Sequence, residues 1–202
     1  MTAGTPGAPD TLRMLDVRSG RLIGRVSFGG DGGLNFEPPA LRADVEMMAV
    51  VRERSPREAF DRLNGWTNGY VRFMPEMRLA RVFDGVGEDG APYFAPGHPV
   101  VDDPAEREGL AAYLEAGTPI LSTTGLDADR VRPERGTVVP LSFRTDGAWI
   151  WTDTVAYYLR VHGIRPDPDL CAHIDAAGRR CPPVNEAVAR HALDELRRLS
   201  AA

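Results

Sequence analysis

The chain has 202 residues, 43% hydrophobic and 26% charged, a balance that excludes wholesale disorder, and no stretch supplies the roughly eighteen consecutive apolar residues of a membrane-spanning helix. Every basic residue is arginine and none is lysine, which removes Schiff-base chemistry, a Walker-type phosphate lysine and a lysine general base. The formal net charge of -5 argues against nucleic-acid binding, which needs a basic face.

Residues 1–10, MTAGTPGAPD, are small and turn-forming and predict a flexible arm. They have neither the basic start nor the apolar run of a secretory signal, which points to a cytoplasmic protein whose two cysteines stay reduced. Residues 11–202 are expected to form one α+β unit, with lobes at 11–97 and 103–202 suggested by the proline-rich stretch APGHPVVDDP. TLRMLDVRSGRLIGRVSF predicts a hairpin about Ser19-Gly20, and PPALRADVEMMAVVRER a helix with Leu41, Val45, Met48 and Ala49 in register. Ser55, Pro56 and Glu58 form a capping box for a short helix that Gly65 ends. In GWTNGY, Trp66 is expected to plug the corner between that helix and the next strand, with Asn68 left-handed.

YVRF and MRLARVF read as short strands of an antiparallel sheet, and DGVGEDGAPYF as a turn leading into another. Asp103, Pro104 and Gly117 mark the start and stop of a helix. TPILSTTG is a brief apolar run, and LDADRVRPERG a polar connection. Asp146-Gly147 predicts a tight turn joining strands over 138–143 and 148–151, and TDTVAYYLRVHG a helix stopped by Gly163. Asp167-Pro168 opens a further helix, and NEAVARHALDELRRL closes the chain with Val188, Ala192, Leu196 and Leu199 on one stripe. Hairpins and about five helices in blocks, ending in a helix, indicate an α+β fold with small antiparallel sheet elements.

Candidate chemistry is sparse. There is no nucleophile elbow, zincin motif, P-loop, EF-hand or C-x-x-C, and FGGDGG leads into no helix that would bind a phosphate. Cys171, His173, Cys181 and His191 are types that suit zinc, but their spacing does not converge, so neither a metal nor a cofactor is expected. His98 with Asp102 and Asp103 offers a base and an orienting carboxylate, with Ser122 to Thr124 as nucleophiles that would have to approach in space; His162 is a second candidate base. The stretch RTDGAWIWTDTVAYYLRVHG admits two readings. Its alternating tryptophans and the helical face of Val155, Tyr158, Leu159 and His162 fit a packing unit. The second reading is that Arg144, Asp146, Trp149, Trp151, Asp153 and Tyr157 are the aromatic, arginine and charged types of a contact surface.

An acidic, motif-poor chain rich in such anchors is expected to bind a protein partner, with self-association open. In size, charge and scarcity of motifs it resembles the small cytoplasmic immunity proteins of bacterial toxin systems, a likeness resting on no diagnostic residue. That resemblance implies an inhibitory or regulatory interaction. The alternative is a hydrolase or transferase whose histidine, carboxylate and arginine meet only in three dimensions.

Overall fold

The computed structural model describes residues 11–19, 21–29, 32–47, 56–64 and 66–200. They fall into two units, Met1–Glu76 and Met77–Ala202, each with its own core. The arm expected over 1–10, the turn glycine Gly20, the helix positions Met48 and Ala49, the cap Ser55 and the stop Gly65 lie outside the described residues.

Alternating apolar residues in the first unit build β1 (Thr11–Asp16), β2 (Leu22–Phe28) and β3 (Leu34–Glu37). The helices α1 (Leu41–Met47) and α2 (Pro56–Leu63) follow, and then β4 (Val71–Pro75). The sheet order is β3-β2-β1-β4, antiparallel throughout, with Leu12 opposite both Val26 and Pro75. Leu12, Met14, Val26 and Phe73 on one sheet face pack against Leu41, Val45, Phe60 and Leu63 of the helices. Trp66 joins helix to strand as expected: its N–H bonds Leu63, its carbonyl accepts from Phe73, and its ring lies 6.1 Å from that of Phe73. The left-handed residue of this corner is Gly69, at φ +86°, and not Asn68. Asn68 acts through its side chain, whose Oδ1 accepts the N–H groups of Tyr70 and Val71.

The second unit runs β5 (Arg78–Leu79), β6 (Gly85–Val86), β7 (Pro92–Tyr93), α3 (Pro104–Ala116), β8 (Thr118–Leu121) and β9 (Leu126–Ala128). It continues through β10 (Thr137–Pro140), β11 (Phe143–Thr145), β12 (Trp149–Thr152), α4 (Asp153–His162), α5 (Pro168–Ala176) and α6 (Glu186–Ser200). Asp103, Thr152 and Asp167 cap α3, α4 and α5, each accepting a backbone N–H of the first turn, and Gly163 ends α4 at φ +71°. The Asp146-Gly147 turn is present, with Gly147 at φ +93°. It joins β11 to β12, whereas the strand expected over 138–143 is broken. Pro140 lacks an N–H, β10 ends there, and β10 pairs with β9, inside the segment expected to be only a connection.

The main sheet has the order β5-β12-β11-β8. Its β5 runs parallel to β12, against the antiparallel expectation, because a two-residue strand has no pattern of its own and takes the direction the intervening chain allows. Both faces of β12 are covered. Trp149 and Trp151 enter the core built by Leu110 and Leu114 of α3, Val155 and Leu159 of α4, and Leu170 and Ile174 of α5. Ile150, on the other face, meets Met77 and the α6 residues Ala192 and Leu196. The fold is thus α+β, with small sheets, six α-helices among the described residues and a helical C-terminus. Among the described residues no helix is long and apolar enough to cross a membrane.

Candidate functional site

Two aspartates organise the polar interior of the second unit, and they do so in the same way. Asp146 Oδ1 accepts the N–H groups of Ala148 and Trp149, both at 2.8 Å, which forms the turn that feeds β12. Its Oδ2 receives the Tyr113 hydroxyl at 2.7 Å and lies 2.7 Å from His173 Nε2. Burial works to raise the carboxyl, but His173 and the donors from Trp149 and Tyr113 outweigh it and hold Asp146 below the usual carboxylate range. Burial and that same negative charge push the Tyr113 phenol far up. Burial and then Asp146 drive Cys181 up to about 12, and burial, opposed by Arg165 and helped by the charges of Asp175, Asp167 and Glu106, takes Cys171 to about 11, so neither thiol is a ready nucleophile.

Asp129 repeats the pattern at the end of β9. Oδ1 accepts from the N–H groups of Val131 at 2.9 Å and Arg132 at 3.0 Å, while Oδ2 takes the Tyr157 hydroxyl at 2.9 Å and faces His162 Nε2 at 2.7 Å. The burial penalty is again overcome, by Arg132 N–H, His162, Tyr157 and Val131 N–H, and the carboxyl falls to about 2. The turn that Asp129 fixes presents Arg130, whose N–H bonds the Tyr158 hydroxyl at 2.9 Å.

Tyr158 in turn packs edge-on against Phe83 and Phe94, and Phe94 against His98. His98 Nδ1 lies 2.7 Å from Asp84 Oδ2 and Nε2 lies 2.9 Å from the Arg165 carbonyl, so both ring nitrogens are committed. The Ala95 N–H and His98 hold the Asp84 carboxyl below its usual range. Together these bonds shape a cleft of about 510 Å³, lined by Tyr93, Phe94 and His98, by Asp129, Arg130, Val131 and Pro133 of the turn after β9, and by Ile164. That volume lies within the range of ligand sites, roughly 300–1,000 Å³.

The residues singled out in the sequence are distributed as follows. His98 is oriented by Asp84, not by Asp102, which is exposed, nor by Asp103, which caps α3. Thr123 exchanges hydrogen bonds with Ser142. His162 sits on Asp129. Trp149, Trp151 and Asp146 are buried, at 5%, 0% and 4% exposure, and the Trp151 indole N–H bonds the Leu114 carbonyl, so the tryptophans belong to the core and not to a surface. Arg144 bonds Asp153 at 2.6 Å and also the carbonyls of Glu115 and Gly117, which satisfies the end of α3. Arg144, Asp153 and Tyr157 share a depression of about 300 Å³ with Arg160, itself bonded to Glu108 and Glu115. Of the four candidate zinc ligands, His173 serves Asp146 and His191 is buried in α6. Among the described residues no group of three or more His, Cys, Asp or Glu side chains is placed to hold a metal ion.

Asp84, Tyr113, Asp129 and Arg130 were not marked by sequence reasoning, and His173 was marked only as a zinc-ligand type, not as the partner of Asp146. For Asp129 a local signal existed, an aspartate opening a turn with its own side chain, as in TDG. The histidine partners, 14 to 33 positions away, left none. No protein-family model, curated protein or solved structure matches the chain.

Proposed function

We propose that the chain acts by binding a protein partner, in an inhibitory or regulatory role of the immunity-protein kind, and that the cleft beside β7 is the contact site. The observation that carries this reading is a contrast within the cleft. The groups that could act as bases, His98 and Asp129, already have their polar atoms occupied by intramolecular partners. Its apolar and aromatic lining is open, with Tyr93 46% and Val131 40% exposed. Exposed apolar side chains rimmed by arginine are the composition of a binding surface. A cytoplasmic setting accords with two unpaired thiols.

The enzyme reading retains one specific support: His98, Asp129 and Arg130 do meet at one cavity. For it to hold, His98 or Asp129 would have to release a present partner to reach a substrate. Affinity purification of the tagged chain from its native host, followed by mass spectrometry, decides between them. The expected result is a stoichiometric partner, captured by the native chain and lost on Tyr93→Ala or Val131→Asp with the melting temperature nearly unchanged. Recovery of a second copy of this chain would make the contact a homo-oligomer. Capture that survives in both folded variants would move the contact site elsewhere.

A further inference from the structure

We infer that the partner enters this cleft as an extended polypeptide segment that adds a strand to the free edge of β7, with apolar and acidic residues in that segment; the inference rests on the binding reading above and names the form the partner takes. The hydrogen bonds of the β6-β7 hairpin decide which edge is free. The Tyr93 carbonyl accepts the Asp84 N–H at 3.0 Å and the Ala91 carbonyl accepts the Gly87 N–H at 2.9 Å, so residues 91 and 93 direct their backbone groups toward β6. Backbone groups alternate between the two edges of a strand, so the Pro92 carbonyl and the Phe94 N–H point the other way.

Pro92 and Phe94 both line the cleft, and among the described residues neither of these backbone groups has a hydrogen-bond partner. An acceptor and a donor on either side of Tyr93 are what an added strand requires. One residue of a parallel segment closes both bonds, as do two flanking residues of an antiparallel one. Such an edge invites pairing unless it is covered.

The other lining residues define what the segment carries. Val131, Pro133 and Ile164 provide apolar contacts for side chains on one face of an added strand. Charge complementarity supplies the second requirement. Arg130, whose guanidinium already bonds Asp127 at 3.1 Å, lines the cleft, and Arg132, exposed on the same turn, has no ion-pair partner among the described residues. An acidic residue in the segment would meet Arg132.

The experiment pans the full chain against a phage-displayed library of random dodecapeptides, then synthesises the enriched sequence. Enriched peptides are expected to combine acidic residues with apolar ones at alternate positions. The synthetic peptide should slow hydrogen exchange at the Phe94 amide in NMR spectra. N-methylation of its pairing residue should weaken binding by about tenfold or more, the loss of one hydrogen bond and its geometry. Arg132→Glu should weaken binding and reduce its salt dependence. Failure to enrich any peptide overturns the inference, as does an enriched peptide that leaves Phe94 exchanging freely or binds equally well when N-methylated at every position. Those failures leave the binding reading standing if the host partner is still lost on Val131→Asp. Conversely, Phe94 protection by peptide with no host partner recovered upholds the strand site and removes the proposed role.

Discussion

A buried carboxylate that receives two backbone N–H groups on one oxygen and a tyrosine and a histidine on the other is anchored by more bonds than any single variant removes, and Asp129 and Asp146 both have this arrangement. For Asp129 the consequence is a dependence on acid. Its carboxyl titrates near 2 in the folded chain, from an ordinary value of 3.8. On acidification the unfolded chain therefore takes up the proton first, and the stabilisation, on the order of 2 kcal/mol, is complete at neutral pH and is lost as pH falls through about 4 toward 2. Thermal melts across that window should show a steep decline for the native chain and a flatter one, starting lower at pH 7, for Asp129→Asn. Gly147 supplies the second prediction at this scale. Its φ of +93° is one a branched residue does not adopt without strain, so Gly147→Val should lose about 1 kcal/mol or more in urea unfolding. An unchanged midpoint would show that the turn relaxes. The turn itself was legible as Asp146-Gly147, but the roles of Tyr113 and His173 at its carboxylate were not, since they lie 33 and 27 positions away.

Helix boundaries in the second unit follow from side chains that bond within their own first turn, which is why Asp103 and Asp167 could be read as starts before any packing was known, while for α4 the structure selects Thr152 over the adjacent Asp153 as the cap. Thr152→Ala should cost about 1 kcal/mol, seen as a shifted denaturant midpoint with unchanged slope. Gly117 was expected as a helix stop, and the structure adds a reason of another kind. A Cβ there would lie 2.3 Å from Trp151 Cζ2 and 3.1 Å from Arg144 Cβ, while its φ of -55° is open to any residue. Gly117→Ala should therefore destabilise by overpacking, by about 1–3 kcal/mol; a neutral result would mean that the Trp151 ring has room to move. Strand boundaries were less legible. Pro140 divides one apolar run into β10 and β11, and β9 comes from a segment whose charges hide its three paired residues.

At the scale of the whole molecule, the core of the second unit is drawn from α3, α4, α5 and β12, with α6 closing the other sheet face. Residues 77–202 expressed alone should unfold in one cooperative transition reported by Trp149 and Trp151, because the third tryptophan, Trp66, lies in the first unit. A broad, non-cooperative loss of fluorescence would show that the division is not one of independent folding. What the sequence determined by itself is the α+β class, the capped helices, the Asp146-Gly147 turn, the apolar stripe of α6 and the Trp149/Trp151 alternation. All of these depend on residues no more than a few positions apart. What only the tertiary structure decided is that both faces of β12 are covered, that β5 pairs with it in parallel, that three histidines rest on aspartates far along the chain, and that β7 and the turn after β9 line a common cleft. Bringing such distant groups together costs chain entropy that no single pair offsets, and only burial of the shared core does so. The identity of each partner is therefore set by how the core closes, and no local spacing carries it.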